Sequence, residues 1–229
     1  MKIALVGSNG RMGQKIIELS AKSKDTFTIT PIDKDSTREQ AYQAITDCDV
    51  VVDFSLPSST IEHLIIATKL KKNYVIGTTG FSEQQLAEIK TISNNIAIVM
   101  SGNMSLGVNL LASLVEKAAA ALQPYGFDIS ITETHHKYKI DKPSGTALLL
   151  GNHIKKSMDK DPNIEYNSIR GGTVIGDHSV IFSGYNERII LSHYAQDRDI
   201  FASGALKAAS WVQDKSPAIY SMQDVLNDI

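Results

Sequence analysis

From Met1 to about residue 100, short runs of β-branched and other apolar residues alternate with longer amphipathic stretches. Unbroken apolar runs are typical of parallel strands that are buried on both faces by helices. The sequence therefore predicts a doubly wound α/β unit with a parallel sheet. The predicted strands are Lys2–Gly7, Phe27–Asp33, Asp49–Phe54, Asn73–Thr79 and Ile96–Met100; the predicted helices are Arg11–Lys22, one near Thr37–Ile45, Pro57–Leu70 and Glu83–Ile92.

A different pattern begins after Met100. A long helix is predicted over Leu106–Leu122, and alternating runs at 127–135, 179–184 and 188–194 are typical of antiparallel strands. We predict a second, α+β unit with a mostly antiparallel, mixed sheet.

The C-terminal segment returns to a helical period over Phe201–Gln213 and Ser221–Ile229. We expect residues 205–229 to pack back on the first unit. We therefore predict two domains: residues 1–103 together with 205–229 form the first, and residues 104–204 form the second.

Composition excludes several classes of protein. The formal charge of -2 over 229 residues gives no general attraction to nucleic acid or to anionic membranes. Cys48 is the only cysteine, which excludes an intrachain disulfide and suits a reducing compartment. The apolar run before Gly7 is too short for a secretory signal or a membrane span, so we expect a cytoplasmic protein.

Three glycines, Gly7, Gly10 and Gly13, follow the first predicted strand and open the first predicted helix. In a Rossmann-type unit, such glycines allow a tight turn, let the backbone approach a pyrophosphate and let helix and strand pack closely. A plain glycine turn is the alternative, but the strand and helix on either side favour a dinucleotide site.

Other residues are placed to complete that site. Asp33 ends the second predicted strand, where a carboxylate can bind an adenosine ribose, and the neighbouring Lys34 can pair with the 2′-phosphate of NADP. The alternative is that Asp33 and Lys34 are two solvated side chains of an ordinary turn. The turns Gly77–Gly80 and Ser101–Ser105 follow strands at the carboxyl edge of the sheet, where they could line a nicotinamide pocket.

A second cluster lies between Glu133 and Ala147. His135 and His136 end a predicted strand, so their side chains point to opposite faces and one of them faces the chemistry; a structural role for both is the alternative. No ligand partners at metal spacing accompany them, so no metal site is predicted.

A helix start follows these histidines. Ser144 can cap a helix whose first residues are Gly145 and Thr146, and the unpaired N–H groups of that turn, with the Lys139 ammonium, are suited to bind a carboxylate. The other lysines of the cluster, Lys137 and Lys142, are interpreted as solvated.

These motifs together resemble the dihydrodipicolinate reductase family over nearly the whole chain. The resemblance is carried by Gly7–Gly13, Gly77–Gly80, Asn103–Asn109 and the segment Glu133–Ala147. It implies that His135 donates or accepts a proton, that Lys139 is a second donor, and that His136, Ser144, Gly145 and Thr146 bind the substrate. It also implies a cofactor site formed by Gly7, Ser8, Asn9, Gly10, Arg11, Met12, Asp33, Lys34, Gly77, Thr78, Thr79, Ser101, Gly102, Asn103 and Met104.

The function implied by this resemblance is the NADH- or NADPH-dependent reduction of 4-hydroxy-tetrahydrodipicolinate, a small dicarboxylate, to tetrahydrodipicolinate in the diaminopimelate route to lysine. A homotetramer built on the second sheet is also implied, with no nucleic-acid or membrane partner. Two alternatives remain: another two-domain NAD(P)-dependent dehydrogenase, acting on aspartate or a sugar, or a dinucleotide-sensing protein without turnover.

Overall fold

A computed structural model describes residues 1–23 and 27–228. The chain divides into two compact units: unit 1 consists of Met1–Ser105 and Asp199–Ile229, and unit 2 consists of Leu106–Arg198. Ile229, the last residue of the predicted segment 205–229, lies outside the described residues. Within those residues, no helix is both long and apolar enough to span a bilayer.

The described residues form ten strands and eight α-helices. The strands are β1 Lys2–Val6, β2 Thr28–Ile32, β3 Val50–Asp53, β4 Asn73–Ile76, β5 Ala97–Met100, β6 Asp128–His135, β7 Ile164–Arg170, β8 Gly176–Ser183, β9 Arg188–Ala195 and β10 Ala218–Tyr220. The helices are α1 Arg11–Lys22, α2 Arg38–Asp47, α3 Pro57–Lys69, α4 Glu83–Ile92, α5 Leu106–Leu122, α6 Gly145–Lys156, α7 Asp199–Trp211 and α8 Met222–Asn227.

Unit 1 contains a six-stranded parallel sheet in the order β10-β5-β4-β3-β1-β2. The central strands are buried along their length, as Ile3, Val51, Val75 and Ile98 illustrate, because helices cover both faces. The prediction of a doubly wound Rossmann-type sheet is confirmed. Strand β10 was not predicted; it pairs with β5 and extends the sheet by one strand.

Unit 2 contains a four-stranded sheet in the order β7-β6-β8-β9. β8 pairs antiparallel with β6 and with β9, whereas β7 pairs parallel with β6. Leu111 of α5 and Leu150 of α6 pack with Ile131 and Phe182 to form the core on one face. The predicted mixed sheet is confirmed, but β7 was not predicted, and it supplies the parallel pair.

The face of the unit 2 sheet that α5 and α6 cover, called the covered face below, changes from apolar to polar along the strands. Ile131 pairs with Val180, and both are buried in the core. Two residues further along β6, Glu133 pairs with Ser168 on β7 and with His178 on β8. Because paired residues point to the same face, ionisable side chains collect beneath the helices at this end of the sheet.

Helix α7 approaches the backbone of unit 1 closely at Gly204. A Cβ atom at this position would overlap the carbonyl oxygen of Met104. Gly204 is buried within a helix whose other buried residues are mostly small, including Ala202, Ala205 and Ala208. The absent side chain therefore permits the close packing of α7.

We expect Gly204→Ala to lower the free energy of unfolding by about 1 to 3 kcal/mol, because the added methyl group forces a backbone shift in a packed core. Denaturant titration followed by circular dichroism measures the change. Ser203→Ala, at the exposed neighbouring position on α7, is the matched control and should alter stability by less than about 0.5 kcal/mol. An equal loss in both variants would contradict the packing argument.

Candidate active site

The glycine loop of unit 1 has the geometry of a phosphate-binding turn. Gly7 has a φ of 81°, in the left-handed region that favours glycine, and a Cβ there would meet the carbonyl oxygen of Phe54. Its N–H donates to the carbonyl of Ile32 at 2.9 Å, which ties the loop to β2. Gly10 caps α1 without a side-chain hydrogen bond, so the backbone N–H groups of this helix start can face a ligand.

A cavity of about 500 Å³ lies beside this loop. Five of the predicted cofactor residues line it: Gly7, Asn9, Gly10, Asp33 and Lys34. The Asp33 carboxylate is held in place because it accepts hydrogen bonds from Asn9 Nδ2 at 2.5 Å and from the Asp35 N–H at 2.9 Å. An oriented acceptor at the end of β2 is suited to an adenosine ribose.

The remaining predicted cofactor residues lie in three nearby segments of unit 1. Ser8, Arg11 and Met12 belong to the glycine loop and the first turn of α1; Gly77, Thr78 and Thr79 follow β4; Ser101, Gly102, Asn103 and Met104 follow β5. The Ser8 hydroxyl is buried and has no hydrogen-bond partner among the described residues. This orphaned donor, the cavity and the glycine loop all fit a bound dinucleotide.

Thr78 is placed differently from what its predicted role suggests. Its hydroxyl is buried, donates to the Asp53 carboxylate at 3.2 Å and accepts from the Thr60 hydroxyl at 3.1 Å and from the Ser55 N–H at 3.1 Å. Because these contacts occupy the side chain, Thr78 can offer a ligand chiefly its backbone.

Sequence reasoning missed several residues that line the cavity. Arg38, at the start of α2, and Phe54, Ser55 and Leu56, after β3, all face it. The residues after β3 carry the same signal as the turns after β4 and β5, since each segment follows a buried parallel strand at its carboxyl end. Arg38 is marked only by the capping box between Thr37 and Gln40.

The polar end of the unit 2 sheet is organised around the Glu133 carboxylate. Arg170 donates two hydrogen bonds to it, at 2.7 and 2.8 Å, and the Ser144 N–H donates a third at 3.3 Å. Burial alone would raise the pKa of Glu133, but hydrogen bonds from Arg170, Ser168 and His135 outweigh burial and lower it to about 2. Glu133 is therefore ionised at neutral pH and can only accept hydrogen bonds.

His135 lies two residues further along β6 and is also buried. Its Nδ1 is 2.5 Å from the Glu133 carboxylate. Because that carboxylate only accepts, Nδ1 carries the hydrogen and Nε2 is left to act on another molecule. Burial lowers the pKa of His135 below 6.5 despite the opposing effect of Glu133, so the ring is neutral at pH 7 and Nε2 can accept a proton.

His178 connects His135 with the predicted carboxylate-binding turn. Its ring packs edge-on against His135 with the centroids 5.2 Å apart, and its Nε2 is 3.1 Å from the Ser144 hydroxyl. Burial, together with a smaller effect of the nearby His135, lowers the pKa of His178 to about 4. Ser144 caps α6 as predicted, because its hydroxyl accepts from the Ala147 N–H at 3.2 Å.

Other predicted substrate residues lie in the segment between β6 and α6. Lys139 is mostly buried, and its Nζ is 2.8 Å from the Asp141 carboxylate. The N–H of His136 donates to the carbonyl of Val174 at 2.7 Å, and its buried Nδ1 has no partner among the described residues. Gly145 and Thr146 form the first turn of α6.

In unit 2 the structure thus brings His135 together with Ser144, through Glu133 and His178. Glu133 begins the segment Glu133–Ala147 that carries the resemblance, but no role was predicted for it, and Arg170 and His178 were not predicted as site residues. Their only sequence signal is a polar residue at a covered-face position of a strand. No group of three or more potential metal-ligating side chains occurs within residues 1–23 and 27–228.

A dinucleotide-binding α/β unit and a second unit with a buried, oriented base define a class, the dinucleotide-dependent oxidoreductases. The family models are more specific. The model described as dihydrodipicolinate reductase, N-terminus, matches residues 1–104, and the model described as dihydrodipicolinate reductase, C-terminus, matches residues 107–226. The chain belongs to the dihydrodipicolinate reductase family.

Curated relatives agree with this assignment. A 4-hydroxy-tetrahydrodipicolinate reductase from Bartonella bacilliformis is 43% identical over 265 residues, covering 99% of this chain and 98% of the relative. A protein of the same name from Beijerinckia indica is 40% identical over 264 residues, covering 99% and 97%.

Solved structures support the fold. A dipicolinate-bound dihydrodipicolinate reductase from Paenisporosarcina sp. TG-14 superposes with a TM-score of 0.81 at 23% identity, covering 96% of this chain and 97% of that one. An aspartate dehydrogenase from Thermotoga maritima gives a TM-score of only 0.50 at 14% identity, covering 94% and 98%. At these identities the likeness concerns the fold alone.

The cavity beside the glycine loop generates a prediction about cofactor choice. Lys34→Ala should weaken NADPH binding by roughly tenfold and leave NADH binding unchanged, because only NADPH carries a 2′-phosphate for this cation to meet. Calorimetric titration with each nucleotide measures both dissociation constants. Lys90→Ala, an exposed lysine on α4 that does not line the cavity, is the control and should alter neither value. Equal weakening of both nucleotides by Lys34→Ala would remove Lys34 from the phosphate site.

Proposed function

We propose that this protein reduces 4-hydroxy-tetrahydrodipicolinate to tetrahydrodipicolinate with NADH or NADPH, releasing water, in the diaminopimelate route to lysine. The observation that carries the proposal is the buried Glu133–His135 pair next to a helix start and a lysine in a single unit. Curated relatives that cover 99% of this chain bear the name of that reductase. The single cysteine and this biosynthetic role support a cytoplasmic location.

Unit 1 supplies the cofactor site in this proposal. The dinucleotide, when bound, supplies the hydride. The N–H groups at the start of α1 and the Gly7–Met12 loop receive its phosphates, and Asp33 and Lys34 receive the adenosine end. The backbone of Gly77–Thr79 and of Ser101–Met104 lines the nicotinamide end. Every one of these residues lies in unit 1.

Unit 2 supplies the sites for the two substrate carboxylates. The start of α6 presents the N–H of Gly145 and the hydroxyl of Thr146 to one carboxylate, with the helix dipole favouring negative charge there. His136 contacts the other carboxylate, and the Lys139 ammonium adds positive charge to the same pocket. Ser144 holds this turn in place through its bonds to Glu133 and His178. A planar dicarboxylate, dipicolinate, is bound by the similar solved reductase.

His135 acts first as the base and later as the acid in the proposed reaction. The substrate loses its hydroxyl group and a proton from the carbon next to the imine carbon, which creates a double bond conjugated with the imine. The neutral Nε2 of His135 takes that proton, and Glu133 stabilises the resulting imidazolium. Lys139, as the second donor, protonates the departing hydroxyl. After hydride has reached the carbon that lost the hydroxyl, His135 returns the proton to the carbon from which it came.

An assembly proposal follows from the uncovered face of the unit 2 sheet. Ile169, Ile190 and Tyr194 are 52%, 48% and 64% exposed on the face opposite the helices. Burying such a face against further copies removes apolar surface from water. We propose a homotetramer built on this sheet.

Light scattering at micromolar concentration tests the assembly. The expected mass is that of four chains of 25.0 kDa each. Ile190→Asp should reduce the mass, because it places a charge inside the proposed interface. Ile140→Asp makes the same change at an exposed site in the segment between β6 and α6 and should leave the mass unchanged. A wild-type monomer would contradict the proposal.

Turnover of the named substrate tests the function directly. His135→Ala and Lys139→Ala should each lower kcat/KM by about 100- to 10,000-fold while the protein remains folded, because each removes a proton-transfer group. His153→Ala is the matched histidine control, since His153 lies on α6 in an ion pair with Glu116 and has no assigned role in the reaction.

The pH profile adds an independent measurement. Because the base acts in its neutral form and its pKa lies below 6.5, kcat/KM should be constant near neutrality and fall as the pH drops through a midpoint below 6.5. A midpoint above 7, or wild-type rates in His135→Ala, would overturn the assignment of His135. Absence of turnover in the wild-type protein would overturn the function itself.

A further inference from the structure

Arg170 occupies a central position at the polar end of unit 2. It ends β7 and pairs in register with His135 on β6. Its side chain is only 8% exposed, and its two terminal nitrogens bind the two oxygens of Glu133 at 2.8 and 2.7 Å. Such a bidentate contact fixes the plane of the carboxylate as well as its position.

The same guanidinium also reaches the segment that carries Lys139. Arg170 Nη2 donates to the backbone carbonyl of Asp141 at 2.6 Å, and Nη1 donates to the carbonyl of Ile169 at 2.7 Å. The side chain of Asp141 in turn pairs with Lys139 Nζ at 2.8 Å. A single buried cation therefore connects the carboxylate that orients His135 with the residue that holds Lys139.

The titratable groups around His135 lie on its own strand, on both neighbouring strands and on the segment that follows β6. Glu133 is on the same strand, Arg170 is on β7, His178 is on β8, and Lys139 is on the following segment. Glu133 favours the imidazolium form, whereas Arg170 and Lys139 disfavour it. His178 is kept neutral by burial and adds no full charge at pH 7.

We infer that Arg170 is a positioning residue with two roles: it balances the charge of Glu133 beside His135, and it anchors the segment that carries Lys139. Neither role requires Arg170 to touch the substrate. The inference rests on the proposed function for its catalytic meaning. Its effect on His135 exists without substrate or cofactor.

Titration of the His135 imidazole by NMR tests the first role in the ligand-free protein, with the resonance identified by its loss in His135→Ala. Arg170→Gln should raise the midpoint by about one pH unit, because the carboxylate then acts on His135 without a competing cation. Glu133→Gln should lower the midpoint by a similar amount, since the cation remains and the carboxylate charge is gone. A loosened structure would move both midpoints toward the ordinary histidine value instead.

Arg170→Lys separates the two roles. It retains the positive charge but cannot bind Glu133 and the Asp141 carbonyl together. The His135 midpoint should stay within about half a pH unit of wild type, while KM for the dicarboxylate substrate should rise roughly tenfold as Lys139 loses its anchor. If Arg170→Gln does not fold, Arg170→Lys still tests the anchoring role through KM, and a His135 midpoint shifted by more than about half a pH unit in Arg170→Lys would contradict the charge-balancing role.

Three results would count against the inference. An unchanged midpoint in Arg170→Gln, or shifts of the same sign in Arg170→Gln and Glu133→Gln, would remove the charge-balancing role. A wild-type KM in Arg170→Lys would remove the anchoring role. If the wild-type protein fails to reduce the substrate, the proposed function fails, whereas the opposite shifts of the His135 midpoint still stand or fall by themselves.

Discussion

The buried charge of Glu133 is the constraint on which the polar end of unit 2 depends. A carboxylate beneath a helix layer is stable only when its oxygens are hydrogen-bonded, because the interior cannot solvate the charge as water does. Its donors come from separate parts of the chain: the side chain of Arg170, the backbone of Ser144 and the ring of His135. Since one carboxylate must satisfy all of them, their relative positions are set together. The need to satisfy the Glu133 carboxylate therefore fixes both the orientation of His135 and the position of the start of α6.

Much of unit 1 could be predicted from the sequence because the signals there are local. A buried parallel strand is an apolar run, and a capped helix begins at a polar residue or a glycine, so both features appear within a few positions. Helices α1 and α4 were predicted with their observed bounds, and the predicted range of α2 lies within two residues of the observed one. The glycine loop was predicted for the same reason, since its left-handed residue and its close backbone contacts need glycine at fixed positions.

The missed elements share a physical cause. Strand β7 carries Ser168 and Arg170 at covered-face positions, and β8 begins with Gly176 and His178 there, so the apolar alternation fails just where the site is built. The predicted β8 accordingly began at Ser179, three residues late. Arg170 and Glu133 are 37 positions apart, and no local pattern links them. The family resemblance singled out His135, whereas the strand pattern alone left both histidines open. The neutral state of His135 could not be predicted either way, because it results from neighbours that only the fold brings close.

Strand β10 is synthesised long after the strand with which it pairs. It is the last of the described strands in sequence order, yet it pairs with β5, which ends more than a hundred residues earlier. All of unit 2 is synthesised between these two partners. During translation, unit 2 can therefore fold while β5 is still an unpaired edge strand. Nascent chains that stop before Ala218 leave the backbone of β5 exposed to pairing with other chains. The pairing of β10 with β5 therefore completes the unit 1 sheet after its other strands have been synthesised.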